Sequence, residues 1–247
     1  NGLVKMNIEN NTVEEIPGFE NAHIRDVIFD DNNHIWLATY TKGLFLYKDG
    51  KITNFPLDKN KYLLSSHCII EDKNGFFWIS TNRGLFRVKK KQLVEYASGK
   101  KNSIYYYYYN KDSGFKTNEF NGGCKPCGLY INDFIYLPSM DGVVYFNPDE
   151  VPIEKPDNEI FIDNVEVDDS IIKVNALQLN RKFGRAKFFV TSPFYGNHYN
   201  QDIETQLTGP VSQNWASLTN NYVAFSTLPP GNYTLTARKL TGFESNY

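Results

Sequence analysis

A chain of 247 residues is long enough for one large domain or two of ordinary size, with a substantial buried core. Its 26 Lys and Arg against 28 Asp and Glu leave a net charge of -2, so no overall positive field draws a phosphate backbone and nucleic acid is set aside as a partner. No stretch nears the roughly 20 apolar residues of a membrane span, and "NGLVKMNIEN" lacks the apolar core and cleavage pattern of a signal peptide.

The opening, "GLVKMNIENNTVEEI", reads as the second half of a repeating unit. A full unit follows in "IRDVIFDDNNHIWLATYTKGLFLYK" (24–48), where an apolar strand, an Asp/Asn turn, a Trp-bearing strand and a Gly-containing turn lead into "GLF". A fourth strand, "KITNFPL" (51–57), completes it. The pattern recurs as "CIIEDKNGFFWISTNRGLFRVK" (68–89), with Trp36 and Trp78 separated by 42 residues. A residue repeated at that period serves packing, because a four-stranded unit has no core of its own and must stack on neighbours.

The run "YYYYY" (105–109) reads as the outermost strand of the second unit. Tyr105, Tyr107 and Tyr109 fall on one side and Tyr106 and Tyr108 on the other, one set packing on a neighbouring unit and the other meeting solvent. A degenerate third copy, "GLYINDFIYLPSMDGVVYFNP" (128–148), has Tyr136 at the Trp position and Gly142 matching Gly43 and Gly84. The acidic connector with Pro148, Pro152 and Pro156 marks a domain boundary. Seven short alternating segments come after it: "IFIDNVEVDD", "SIIKVN", "LQLNRK", "AKFFVTS", "IETQLTG", "YVAFSTL" and "GNYTLTARK".

The fold expected is all-β: about three and a half C-terminal blades of a β-propeller over 1–150, then an immunoglobulin-like β-sandwich over 151–247. No long helical period occurs. Because a propeller takes about four to eight blades, further blades are expected before residue 1 or on another chain.

Catalytic patterns are missing. His23, His34, His67 and His198 are scattered, and no HExxH, GxSxG or phosphate-cradling loop occurs. His34 is expected to be exposed in its turn, and the acid pairs Asp30–Asp31 and Asp168–Asp169 lie at turns. Of three cysteines, Cys124 and Cys127 in "CKPC" are expected to form a local disulfide or remain two inert thiols. A redox motif needs a strand-to-helix context and structural zinc needs four ligands. No cofactor or metal is expected.

The repeats "HIWLATYTKGLF" and "GFFWISTNRGLF" resemble the two-component regulator propeller repeat, and "SGFKTNEFNGG" with "GVVYFNPDEV" resembles the way such propellers finish. The C-terminal part, with "IETQLTG", Trp215 and "FSTLPPGNYTLTARK", is similar to the Y_Y_Y domain that follows them. It departs from that pattern at Ile203 and Gln206. The resemblance implies the periplasmic sensor region of a bacterial hybrid two-component regulator, not itself an enzyme, with kinase and transcription-regulator output elsewhere in the protein.

An oligosaccharide ligand is expected where the loops between strands two and three and between units open together. That end holds Tyr40, Thr41, Lys42, Lys61, Tyr62, His67, Asn82, Arg83, Asn118, Glu119, Asn121, Met140 and Asp141. The expected assembly is a homodimer through the sandwich. It touches a membrane only through a segment beyond residue 247, since the missing initiator Met and the ending "TGFESNY" suggest a piece of something longer. The alternatives are a carbohydrate-active propeller enzyme and a structural adhesion module.

Overall fold

The computed structural model describes residues 2–154, 159–173, 178–179, 183–218, 220–240 and 242–243. The chain divides into two compact units, Asn1–Pro152 and Ile153–Tyr247, and both are built from antiparallel sheets.

In the first unit a hairpin of β1 (Leu3–Asn7) and β2 (Thr12–Ile16) precedes a four-stranded sheet. That sheet runs in chain order through β3 (Ile24–Phe29), β4 (Ile35–Thr39), β5 (Gly43–Lys48) and β6 (Lys51–Asn54). The second sheet repeats the order with β7 (Ser66–Glu71), β8 (Phe76–Thr81), β9 (Gly84–Lys89) and β10 (Tyr107–Tyr109). A third has three strands, β11 (Leu129–Ile131), β12 (Phe134–Ser139) and β13 (Gly142–Phe146). Between β9 and β10 lies a helix, α1 (Lys90–Ala97), whose two turns are too short to register as a helical period.

The repeat has a chemical basis. Asp72 accepts from the Asn74 and Phe76 amides (2.9 and 3.0 Å) with one oxygen and from Trp78 Nε1 (2.8 Å) with the other. Asp30 does the same with the Asn32 and His34 amides (2.9 and 3.1 Å) and Trp36 Nε1 (3.1 Å). One carboxylate thus closes the turn and satisfies the indole of the next strand. His34 is therefore buried rather than exposed, its Nδ1 lying 2.9 Å from Asp30 Oδ2. The third sheet uses a two-residue turn instead, Asn132 and Asp133 both with positive φ (51° and 64°), a turn that needs no such clamp.

Both tryptophans are buried and reach the following sheet: Trp36 meets Phe77 edge-on at 4.9 Å and Trp78 meets Phe146 at 4.8 Å. The hairpin packs on the first sheet through Ile16, Phe19, Ala22, Leu37 and Phe45. The hairpin leaves Val4, Met6, Ile8 and Val13 exposed, and the third sheet leaves Leu129, Ile131, Val143 and Tyr145.

The tyrosine run lies where expected, outermost in its sheet, with Tyr107, Tyr108 and Tyr109 opposite Arg87, Phe86 and Leu85. The expectation that one set meets solvent is corrected, because all five side chains are buried. Tyr109 stacks on Trp78 (5.5 Å, 26°), while Tyr108 packs on Phe86 (5.0 Å) and Tyr62 (5.8 Å). Residues distant in sequence cover the face of Tyr106 and Tyr108: the Tyr106 hydroxyl donates to the Pro56 carbonyl (2.9 Å) and that of Tyr108 to the Arg83 carbonyl.

The cysteine expectation is also corrected. Cys127 is bridged to Cys68, and Cys124 is a free, exposed thiol. Ile28, Ile70 and Leu129 pair with Trp36, Trp78 and Tyr136, so Asp26, Cys68 and Cys127, each two residues earlier, occupy equivalent positions at the heads of β3, β7 and β11. Repetition brings them together across sheets, which local spacing in "CKPC" does not reveal. Asp26 beside the bridge is buried, accepting from the Ile69 amide (2.8 Å) and pairing with Lys125.

The second unit has two sheets. One runs β15 (Ser170–Lys173), β14 (Phe161–Val167), β16 (Ala186–Thr191) and β19 (Tyr222–Phe225). The other runs β18 (Gln213–Ser217), β17 (Asp202–Thr208) and β20 (Thr234–Leu240). Val165, Ala186, Val190 and Phe225 from one and Leu207 and Leu240 from the other form its buried centre. The expected strand "LQLNRK" lies mostly outside the described residues. The strand carrying Trp215 was not anticipated, and there Arg238 covers the indole at 4.0 Å while pairing with Glu204 at 2.7 Å.

Candidate functional site

At one end of the first unit the β4–β5, β8–β9 and β12–β13 turns are closed alike. The hydroxyls of Thr39, Thr81 and Ser139 donate to the carbonyls of Gly43, Gly84 and Gly142 (2.8, 2.9 and 3.0 Å) and accept from the amides of Lys42, Arg83 and Asp141 (3.1, 3.0 and 3.3 Å). At Gly84 a Cβ would stand 2.5 Å from the Tyr109 carbonyl and 2.6 Å from the Tyr108 ring, so only glycine lets β10 close over this turn. The segment Glu119–Asn121 runs between two of the turns. Phe120 N donates to the Thr81 carbonyl (3.1 Å), Asn121 N to Pro138 (2.9 Å), Asn121 Nδ2 to Ser139 (3.0 Å) and Met140 N to Glu119 (3.0 Å).

The heads of β3 and β7 each carry a bulge, between Ile24 and Asp26 and between Ser66 and Cys68. A bulge takes one residue out of the ladder and re-aims its side chain, here Arg25 and His67 at matching positions. Tyr40 lies between them, with the Arg25 guanidinium 5.0 Å from its ring centre and the His67 ring stacked at 6.0 Å and 29°. His67 Nε2 is 2.6 Å from Asn82 Oδ1. The pairing puts the proton on Nε2 and leaves Nδ1 an acceptor without a partner. Gly122 backs the imidazole so closely that a Cβ would be 2.5 Å from His67 Cβ. Burial first, and the Arg25 charge after it, lower the His67 pKa from 6.5 against opposing contributions from Asn82 and Glu119, so the ring is neutral near pH 7.

Of the sequence-predicted residues, Tyr40, His67 and Asn82 form one contact cluster, and Glu119 and Asn121 join the end through the crossing segment. Lys42 and Arg83 are exposed on their turns. Tyr62 stands against Tyr108, and Asn118 accepts from the Lys111 amide at 2.6 Å. Asp141 lies apart, on the lip of a cleft of about 370 Å³ between Trp78, Tyr109 and Phe146. Arg25 and the Gly122–Gly123 backing were missed. Aligning "IRDV" with "SHCI" would have put Arg25 opposite His67.

The cluster offers ring stacking, amide hydrogen bonds and one cation. Asp26, Cys68 and Cys127 bring an oxygen and two sulfurs within 4.8 Å of one another, but both sulfurs are in the bridge and neither is the thiolate a metal takes. Among the described residues no helix is long and apolar enough to cross a membrane.

Residues 64–83 match the two component regulator propeller family. The chain is 23% identical over 211 residues to Histidine kinase P4 of Formosa agariphila, covering 79% of this chain and 14% of that protein. In structure it is similar to the extracellular domain of a putative hybrid two component system of B. thetaiotaomicron, with a TM-score of 0.53 and 19% identity. That alignment covers 98% of this chain and 36% of the other. The chain thus spans a minor part of each. These likenesses are to parts of two-component signalling proteins, in the solved structure to an extracellular domain.

Proposed function

We propose that this chain is an extracytoplasmic, non-enzymatic sensor fragment of a two-component signalling protein. Asn1–Pro152 supplies C-terminal propeller blades and Ile153–Tyr247 an immunoglobulin-like sandwich of the Y_Y_Y type. An oligosaccharide binds at the turn end, and its binding biases the sandwich, which passes that bias to an output module. A ligand shifts such an equilibrium only by its difference in affinity for the two states.

The observation that carries the reading is the cluster of Tyr40, His67 and Asn82, held at one end by successive bulges and hydroxyl-closed turns. It joins an aromatic face to amide groups, the chemistry that grips a sugar ring and its hydroxyls. The apolar faces left exposed on the β1–β2 hairpin and the third sheet support a longer stack of blades. The Cys68–Cys127 bridge supports an oxidising compartment.

The test is calorimetric titration of the 247-residue protein against a glycan panel, repeated with Tyr40→Ala and Asn82→Ala. Saturable binding weakened by both substitutions at unchanged melting temperature is expected. No binding, or binding indifferent to both, overturns the proposal. The proposed homodimer through the sandwich is read by sedimentation equilibrium and falls if the protein stays monomeric with and without ligand.

A further inference from the structure

Arg25 stands out among the cations of the first unit. Asp26, the next residue in sequence, is buried and already engaged by the Ile69 amide and Lys125. No carboxylate among the described residues pairs with Arg25, and its Nε is buried without a hydrogen-bond partner. Its guanidinium lies 5.0 Å from the centre of the Tyr40 ring and close to Gly123, where a Cβ would be 2.6 Å from Nη1. The bulge at the head of β3 lifts it from the ladder toward the side where His67 and Asn82 stand.

A guanidinium left unpaired while its Nε is desolvated is unfavourable unless an anion arrives, and its planar fork matches a carboxylate or a sulfate with two parallel bonds. Tyr40 beside it is 37% exposed and offers its uncovered edge to the sugar that carries the acid. His67 is neutral near pH 7 and adds no competing charge.

We propose that Arg25 is an anion-recognition residue and that the ligand is an acidic oligosaccharide, whose uronate carboxylate or sulfate ester docks on the guanidinium while its ring packs against the exposed edge of Tyr40. This rests on the proposed placement of a glycan at the turn end. The acid, and not the sugar ring alone, then supplies the discrimination.

The experiment is calorimetry of the 247-residue protein with four probes: a uronate tetrasaccharide, its methyl ester, a sulfated disaccharide and the unsulfated disaccharide. One acidic probe is expected to bind at least about ten-fold more tightly than its neutral counterpart, the scale of one charge-assisted bidentate contact. Which acid wins separates uronate from sulfate. Arg25→Met, which keeps the stem over Tyr40, removes that preference, and Arg25→Lys restores part of it. Arg25→Gln serves as a second neutral variant if the first melts early.

Neutral probes binding as tightly as acidic ones, or acid binding unchanged in Arg25→Met, overturns the inference. If Tyr40→Ala still abolishes binding of the neutral probes, the glycan site stands and only the anion inference falls. If none of the four probes binds, both fall.

Discussion

Two buried titratable side chains show how single residues hold this fold. For Asp30, burial alone would raise the carboxyl pKa, but hydrogen bonds from Trp36, from the His34 and Asn32 amides and from the His34 ring outweigh it and hold it below the usual value. Its contribution is therefore present above the ordinary aspartate range and is lost as pH falls through the lowered value. His67 is depressed by burial from 6.5, so it stabilises fully above that pH and progressively less as the unfolded chain alone takes up a proton below it. Between pH 7 and 5 the unfolding free energy from urea titration is expected to fall more steeply in the wild type than in His67→Gln; equal slopes would refute the assignment. Asp72 has a larger task, since Asp72→Ala strands the buried Phe76 amide and Trp78 indole N–H together with the Asn74 amide and should cost about 3 kcal/mol in the same assay. Asp72→Asn, which retains an oxygen for the amides, should cost less.

At the scale of elements, the repeat was legible because burial chemistry recurs: an Asp, a Trp and a glycine turn each stand at a fixed place in a sheet. What was not legible depended on register across sheets. A bulge shifts a pairing without changing composition, so composition does not mark Arg25. Cys68 could be matched with Cys127 only once β7 and β11 had been placed side by side. The tyrosine run was readable as a strand but not as a buried one, because its second face is covered by residues distant in sequence, Pro56, Tyr62 and Arg83. Burial pushes the Tyr108 phenol up to about 12. Tyr108→Ala is expected to destabilise by about 3 kcal/mol, whereas a solvent-facing edge tyrosine would lose only a few tenths. Tyr108→Phe, keeping the ring against Phe86 and losing the bond to the Arg83 carbonyl, should lose about 1 kcal/mol, and urea melts of the pair separate packing from hydrogen bonding.

The whole molecule consists of two units with separate cores, so unfolding should not be a single two-state event. All three cysteines belong to Asn1–Pro152, which makes the bridge a label for one unit. Joining residues 59 apart, it removes enough freedom from the unfolded chain to stabilise that unit by about 4 kcal/mol. Calorimetry is expected to resolve two transitions. A reductant or the pair Cys68→Ala and Cys127→Ala should lower one and leave the other in place, while Cys124→Ser moves neither because that thiol is free. Were both transitions to shift together on reduction, the units would be one cooperative block.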